Sequence, residues 1–153
     1  MPALGARLAL LASVVAAGVI PAAAWADTPV QVRAPWFRYL LASIPAGGYL
    51  TLENTSAAPA VLTGATSPAC GSLMLHRTET AGGTDRMLGV QRITIPAHGQ
   101  FRFAPGGYHL MCMEPKMQPG QTVPVTLLFA NGSRITASFT VRGASGAPAP
   151  AGA

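Results

Sequence analysis

Four residues of this 153-residue chain have side chains and spacings that can do chemistry together: His76, Met87, His109 and Met111. Ten residues separate the first two, twenty-one separate Met87 from His109, and one separates His109 from Met111. Residues two apart on an extended strand share a face, so His109 and Met111 present an imidazole nitrogen and a thioether sulfur side by side. His76 and Met87 flank the turn at Gly82 and Gly83 and can meet that pair if the hairpin lies against it. Thioether sulfur is a soft, neutral donor and selects copper(I) over hard and borderline cations, while imidazole adds affinity. Zinc favours thiolate, imidazole and carboxylate, and no acid stands in this arrangement. The pattern therefore predicts one copper(I) ion on His76, Met87, His109 and Met111. A neutral donor set of this kind holds copper yet can release it to a thiolate-bearing acceptor.

The remaining reactive residues are few. Cys70 and Cys112 form an even pair, which in an exported chain is first read as a disulfide. On a regular strand Cys112 alternates with Met111 and points away from the metal face. The rival reading is that the two thiols are redox-active or recruit copper. His98 lies in the turn Pro96-Ala-His-Gly99 and reads as a solvated turn residue. Met74 and Met113 share the faces of His76 and Met111; either could supply a spare sulfur, but both read first as apolar neighbours of the site. Met117, between Pro115 and Pro119, reads as a loop residue beside it, and Trp36 as packing. No Ser-His-Asp set is apparent and there are only five acids, which argues against an enzyme.

The elements that must position these residues read as β throughout. Leu50 and Leu52 alternate with polar neighbours. Val123, Val125, Leu127 and Phe129 precede Ile135, Ala137, Phe139 and Val141, and Asn131-Gly132 between them predicts a type I′ hairpin. Further strands are expected over Ala60–Thr66, Ser72–Glu79, Met87–Val90, Arg92–Ile95, Gln100–Ala104 and Tyr108–Met113. Trp36 to Ile44 reads as a short helical or irregular connection. Short strands punctuated by Gly- and Pro-containing turns point to an all-β antiparallel sandwich or small barrel over residues 30–142. Before it, Arg7, the apolar run Leu8 to Ile20 and the small-residue site Ala24-Trp25-Ala26 read as a secretory signal peptide over residues 1–26, cleaved after Ala26. The apolar run is too short to span a bilayer comfortably, so no stable membrane insertion is expected. Residues 143–153 hold only Gly, Ala, Ser and Pro and read as a disordered tail. The formal charge is +5, but the basic residues are scattered singly, which argues against nucleic acid as a partner.

The four-residue spacing also resembles the signature of the periplasmic copper A chaperones (the PCuAC type). The likeness extends to Gly48-Tyr-Leu-Thr-Leu-Glu-Asn-Thr55, Ser67-Pro68, Pro105-Gly-Gly-Tyr-His-Leu-Met111 and Val123-Pro-Val-Thr126. The resemblance implies a cupredoxin-like β-sandwich in the periplasm with a partly exposed copper(I) site. It further implies delivery of copper to an acceptor such as the dinuclear copper centre of cytochrome oxidase. Two cysteines depart from the usual pattern, and a His- and Met-rich C-terminal extension is lacking. The competing expectations are electron transfer through a blue-copper site, a metal-free structural sandwich, and thiol–disulfide chemistry at Cys70 and Cys112.

Overall fold

The computed structural model describes residues 29–147. The signal peptide expected over residues 1–26 and the last part of the tail lie outside the described residues. The structure is all β, as the patterning predicts. Its strands are β1 (Val30–Arg38), β2 (Ala46–Asn54), β3 (Ala60–Thr66), β4 (Ser72–Ala81), β5 (Thr84–Gly89), β6 (Ile93–Ile95), β7 (Gln100–Phe103), β8 (Tyr108–Met113), β9 (Thr122–Phe129) and β10 (Arg134–Arg142). They form one sheet in the order β5-β4-β8-β2-β1-β10-β9-β3-β6, with β7 and β8 pairing successive stretches of β2. All pairings are antiparallel except β1 with β10.

A single hydrophobic core takes Phe37, Leu52, Leu75, Leu110, Leu127 and Phe139 from strands along the whole path. Side chains from both ends can share one core only because the sheet folds over on itself, which brings β3 beside β4 without hydrogen-bonding them. The alternation that marks β9 and β10 explains their place: Val123, Val125, Leu127 and Phe129 are buried, and Phe139 and Val141 face the same interior.

Two local expectations are corrected. The segment Trp36 to Ile44 is neither helix nor connection at its start. Trp36–Arg38 is the end of β1, the strand that pairs with both β2 and β10. Its register shifts between Arg33 and Trp36, where Ala34 takes a φ of 46° next to Pro35. That bulge breaks the period-2 pattern by which a strand is recognised. The hairpin at Asn131-Gly132 exists, but only Gly132 has positive φ (84°), so it is not type I′. Instead Asn131 Oδ1 accepts hydrogen bonds from the amide and hydroxyl of Ser133, an Asx-type local closure.

Cys70 and Cys112 are joined in a disulfide, with Cα atoms 5.3 Å apart. Met117 lies in a loop but is buried in the core rather than beside the metal face. Residues 143–146 form a turn, with Arg142 donating to the Gly146 carbonyl at 3.2 Å and Gly146 lying against the Trp36 ring.

Candidate metal centre

The four candidate ligands occupy three adjacent strands and one face of the sheet. In the β4–β8 ladder His76 is directly opposite His109, and Met74 is directly opposite Met111. In the β4–β5 ladder Met87 is opposite Thr78, two residues along from His76 and on its face. The alternate residues Leu75, Leu110 and Cys112 point the other way, into the core. Thus the sulfur of Cys112 is removed from the metal face twice over, by strand alternation and by its bond to Cys70. A blue-copper centre needs a cysteine thiolate, and this face has none to offer.

The same face continues across β2 and β1. Gly47 pairs with Met111 on one side and with Arg38 on the other, and Tyr49 pairs with Trp36. Gly47 has no room for a side chain, since a Cβ there would meet the Tyr49 hydroxyl at 2.6 Å. The result is a concavity of about 350 Å³ lined by Met87, His109, Met111, Gly47, Tyr49 and Arg38, with Leu40 and Ile44 at its rim. His76 is not among the residues that line this cavity. Its ring meets that of His109 edge-on with centroids 5.8 Å apart, while it lines a neighbouring groove together with Met74. Strand pairing therefore brings the two histidines together directly. Met87, His109 and Met111 share one cavity.

The histidine nitrogens carry the most informative chemistry. His109 is 5 % exposed, and its Nδ1 lies 3.1 Å from the Gly107 carbonyl oxygen. A carbonyl only accepts, so this contact places the proton on Nδ1 and leaves a lone pair on Nε2. Nε2 of His109 and Nδ1 of His76 are both buried without a hydrogen-bond partner. Buried polar atoms are nearly always satisfied, so these two nitrogens, like the equally unpartnered Nε of Arg38, are candidates to take up a ligand. The Gly107 carbonyl also accepts from the Thr78 amide at 3.0 Å, which ties the start of β8 to β4. The preceding Gly106 has a φ of 81°, which explains why the tight turn at 105–107 is glycine-rich. Backbone support of this kind fixes the tautomer and orientation of a metal-binding imidazole.

Burial pushes the His76 imidazole below its ordinary pKa, and the nearby His109 pushes in the same direction. His76 is thus kept neutral and able to donate its lone pair. Met87 is 59 % exposed, unusual for so apolar a side chain, and this leaves the site open to solvent on one side. Among the described residues no group of three or more His, Cys, Asp or Glu side chains could hold a metal. Arg38 stacks over Trp36 and Tyr49, at 5.6 and 5.7 Å from their ring centroids, and lines the same cavity. A fixed cation there weighs more heavily against a divalent than a monovalent metal. Burial raises the Tyr49 hydroxyl pKa, with Arg38 partly opposing it, so the phenol is neutral. Arg38, Gly47 and Tyr49 were not singled out by the sequence pattern, because nothing local places them beside β8. Exposed His98 lies in its turn, away from the histidine pair.

Residues 30–141 match the family described as "Putative lipoprotein LpqE-like". A protein of Leifsonia xyli subsp. xyli, "Putative lipoprotein Lxx21020", is 36 % identical over 121 residues, covering 77 % of this chain and 72 % of that protein. Among solved structures, the copper(I) form of DR1885 from Deinococcus radiodurans is 33 % identical with a TM-score of 0.59, covering 78 % of this chain and 83 % of that one. The apo form of DR1885 is 31 % identical with a TM-score of 0.58, covering 92 % of this chain and 95 % of that one. The copper-bound PCuAC domain from PmoF2 has the same fold, with a TM-score of 0.63 at 24 % identity over 75 % of this chain and 93 % of the domain.

Proposed function

We propose that this chain, which belongs to the LpqE-like lipoprotein family, is an exported copper(I) carrier that holds one ion on His76, Met87, His109 and Met111. The observation that bears most weight is the pair of buried, unpartnered ring nitrogens on two adjacent histidines, Nε2 of His109 and Nδ1 of His76. Two imidazoles alone would serve many metals. The thioethers of Met87 and Met111 on the same face narrow the choice to copper(I). The copper(I)-bound relative of the same fold supports this reading.

The role is binding and transfer rather than catalysis. A neutral two-nitrogen, two-sulfur set leaves the charge of the ion uncompensated, and the exposed Met87 leaves a side open for an incoming donor. An acceptor with thiolate ligands can therefore draw the ion away by ligand exchange. A respiratory oxidase subunit with a dinuclear copper centre is an acceptor of that chemistry, and the periplasm is the compartment in which the two would meet. Lipoprotein relatives support export. Among the described residues no helix is long and apolar enough to cross a membrane.

The test is an anaerobic copper(I) titration against a competing chelator, on the intact protein and on a His109→Ala, Met111→Ala variant. The expected result is one equivalent bound tightly by the first and lost by the second. Absence of binding by both would leave an exported β-sandwich with no metal role. Strong visible absorption from the copper-loaded protein would instead favour electron transfer.

A further inference from the structure

The metal face holds more sulfur than the four-residue set uses. Met74 on β4 is directly opposite Met111 on β8, and Met113, opposite Ser72, is the next residue of β8 on that face. Side chains directly opposite across an antiparallel pair have Cβ atoms about 4.5–5.5 Å apart, and diagonal ones remain within reach of long side chains. Three unbranched methionines so placed can bring their sulfurs to a common point. Packing does not account for them. The inward residues here are Leu73, Leu75, Leu110 and Cys112, whereas Met74 is 40 % exposed and Met113 is half-buried. Met117 shows the contrast, since it is in the core at 4 % exposure. Ser72 is opposite Met113 at this end of the face, and the Glu114 carboxylate lies just beyond it, against Gly71. Met74 also lines the groove, of about 420 Å³, that His76 borders.

Building on the copper(I) reading above, we propose that Met74, Met111 and Met113 form a second, thioether-only copper(I) station that shares Met111 with the histidine site. Three neutral soft donors select copper(I) and require no deprotonation. Passage between the two positions is ligand exchange at constant oxidation state. The Met111 sulfur–copper bond is kept, the bonds to Met87 and the two histidine nitrogens break, and bonds to the Met74 and Met113 sulfurs form. No proton or electron moves. The ion thus shifts toward the Met113 end of β8 without being released to water.

The experiment is an anaerobic copper(I) competition titration on a His76→Ala, His109→Ala variant, and on the same variant with Met74→Leu and Met113→Leu added. Leucine conserves volume, so the fold is retained. The double-alanine variant is expected to bind one copper(I) more weakly than the intact protein, to bind no copper(II), and to show only sulfur in the copper X-ray absorption first shell. Adding the two leucines is expected to weaken it at least a further tenfold. No binding by the double-alanine variant, or binding indifferent to the leucines, overturns the station. Should the double-alanine variant fail to fold, Met74→Leu, Met113→Leu in the otherwise intact chain gives a second readout. Hand-over of copper(I) to a dithiol chelator is expected to slow at least threefold at unchanged equilibrium affinity, and an unchanged rate overturns the proposal equally. An intact chain that binds no copper(I) overturns the carrier function itself, which separates the two failures.

Discussion

Replacing both cysteines with alanine separates what holds this fold from what binds its metal. The Cys70–Cys112 bond closes a loop of 42 residues between the segment before β4 and the end of β8. On chain-entropy reasoning, a loop of that length constrains the unfolded chain enough to contribute about 4 kcal/mol. Cys112 is fully buried, so the alanines also leave a small void, which adds to the loss rather than offsetting it. At a urea m-value of about 2 kcal/mol/M, typical for a domain of this size, the unfolding midpoint should fall by roughly 2 M. Copper(I) affinity should change by less than about twofold, because the Cys112 side chain lies on the face opposite His109 and Met111. The assay is urea denaturation followed by circular dichroism for both proteins, paired with chelator competition in native buffer. A midpoint shift below about 0.5 M, with m unchanged, would refute the structural role. A tenfold or greater loss of copper from a variant that remains folded would show that the cysteines belong to the metal site after all.

Met87→Ala or Met111→Ala should weaken copper(I) by at least tenfold while changing copper(II) far less, as read by parallel titrations of the two oxidation states; equal losses would count against the soft-donor argument. Copper(I) affinity should hold near neutral pH and fall as the medium becomes more acidic than pH ~6.5, because the lowered pKa of His76 delays its protonation below the ordinary imidazole value. Folding stability has the same sign: the contribution from His76 is present above its unfolded pKa and is lost as pH falls through the lower folded one. Affinity unchanged down to pH 4 would mean that the histidines are not ligands. Arg38→Leu should raise copper(II) affinity relative to copper(I), since it removes a fixed charge from the cavity wall and adds no donor; an unchanged ratio in the same paired titrations would remove Arg38 from the account. Gly48→Ala should cost about 1–3 kcal/mol in urea denaturation, because a Cβ there would lie 2.7 Å from the Phe37 ring and 3.0 Å from Leu110 Cβ.

Strand alternation is a property of adjacent residues, so it is written in the sequence wherever the strand is regular. β3 and β8 have the bounds that their patterns predict; β9 buries the four residues that its alternation assigns to the interior, and β10 buries Phe139 and Val141 but only half-buries Ile135 and Ala137. The same logic puts His109 and Met111 on one face and Cys112 on the other, and it holds in the structure. β1 escaped because its bulge at Ala34-Pro35 interrupts the period, and its pairing with β10 spans about a hundred residues of sequence. Side-chain types and spacing determined the chemistry that His76, Met87, His109 and Met111 are able to perform. Register decided the rest. Only the β4–β8 ladder sets His76 against His109 and Met74 against Met111. Only the fold of β2 and β1 onto that ladder walls the cavity with Gly47, Tyr49 and Arg38. Those placements depend on which distant strands share hydrogen bonds, and that is settled by the burial of the whole core rather than by any local run of residues.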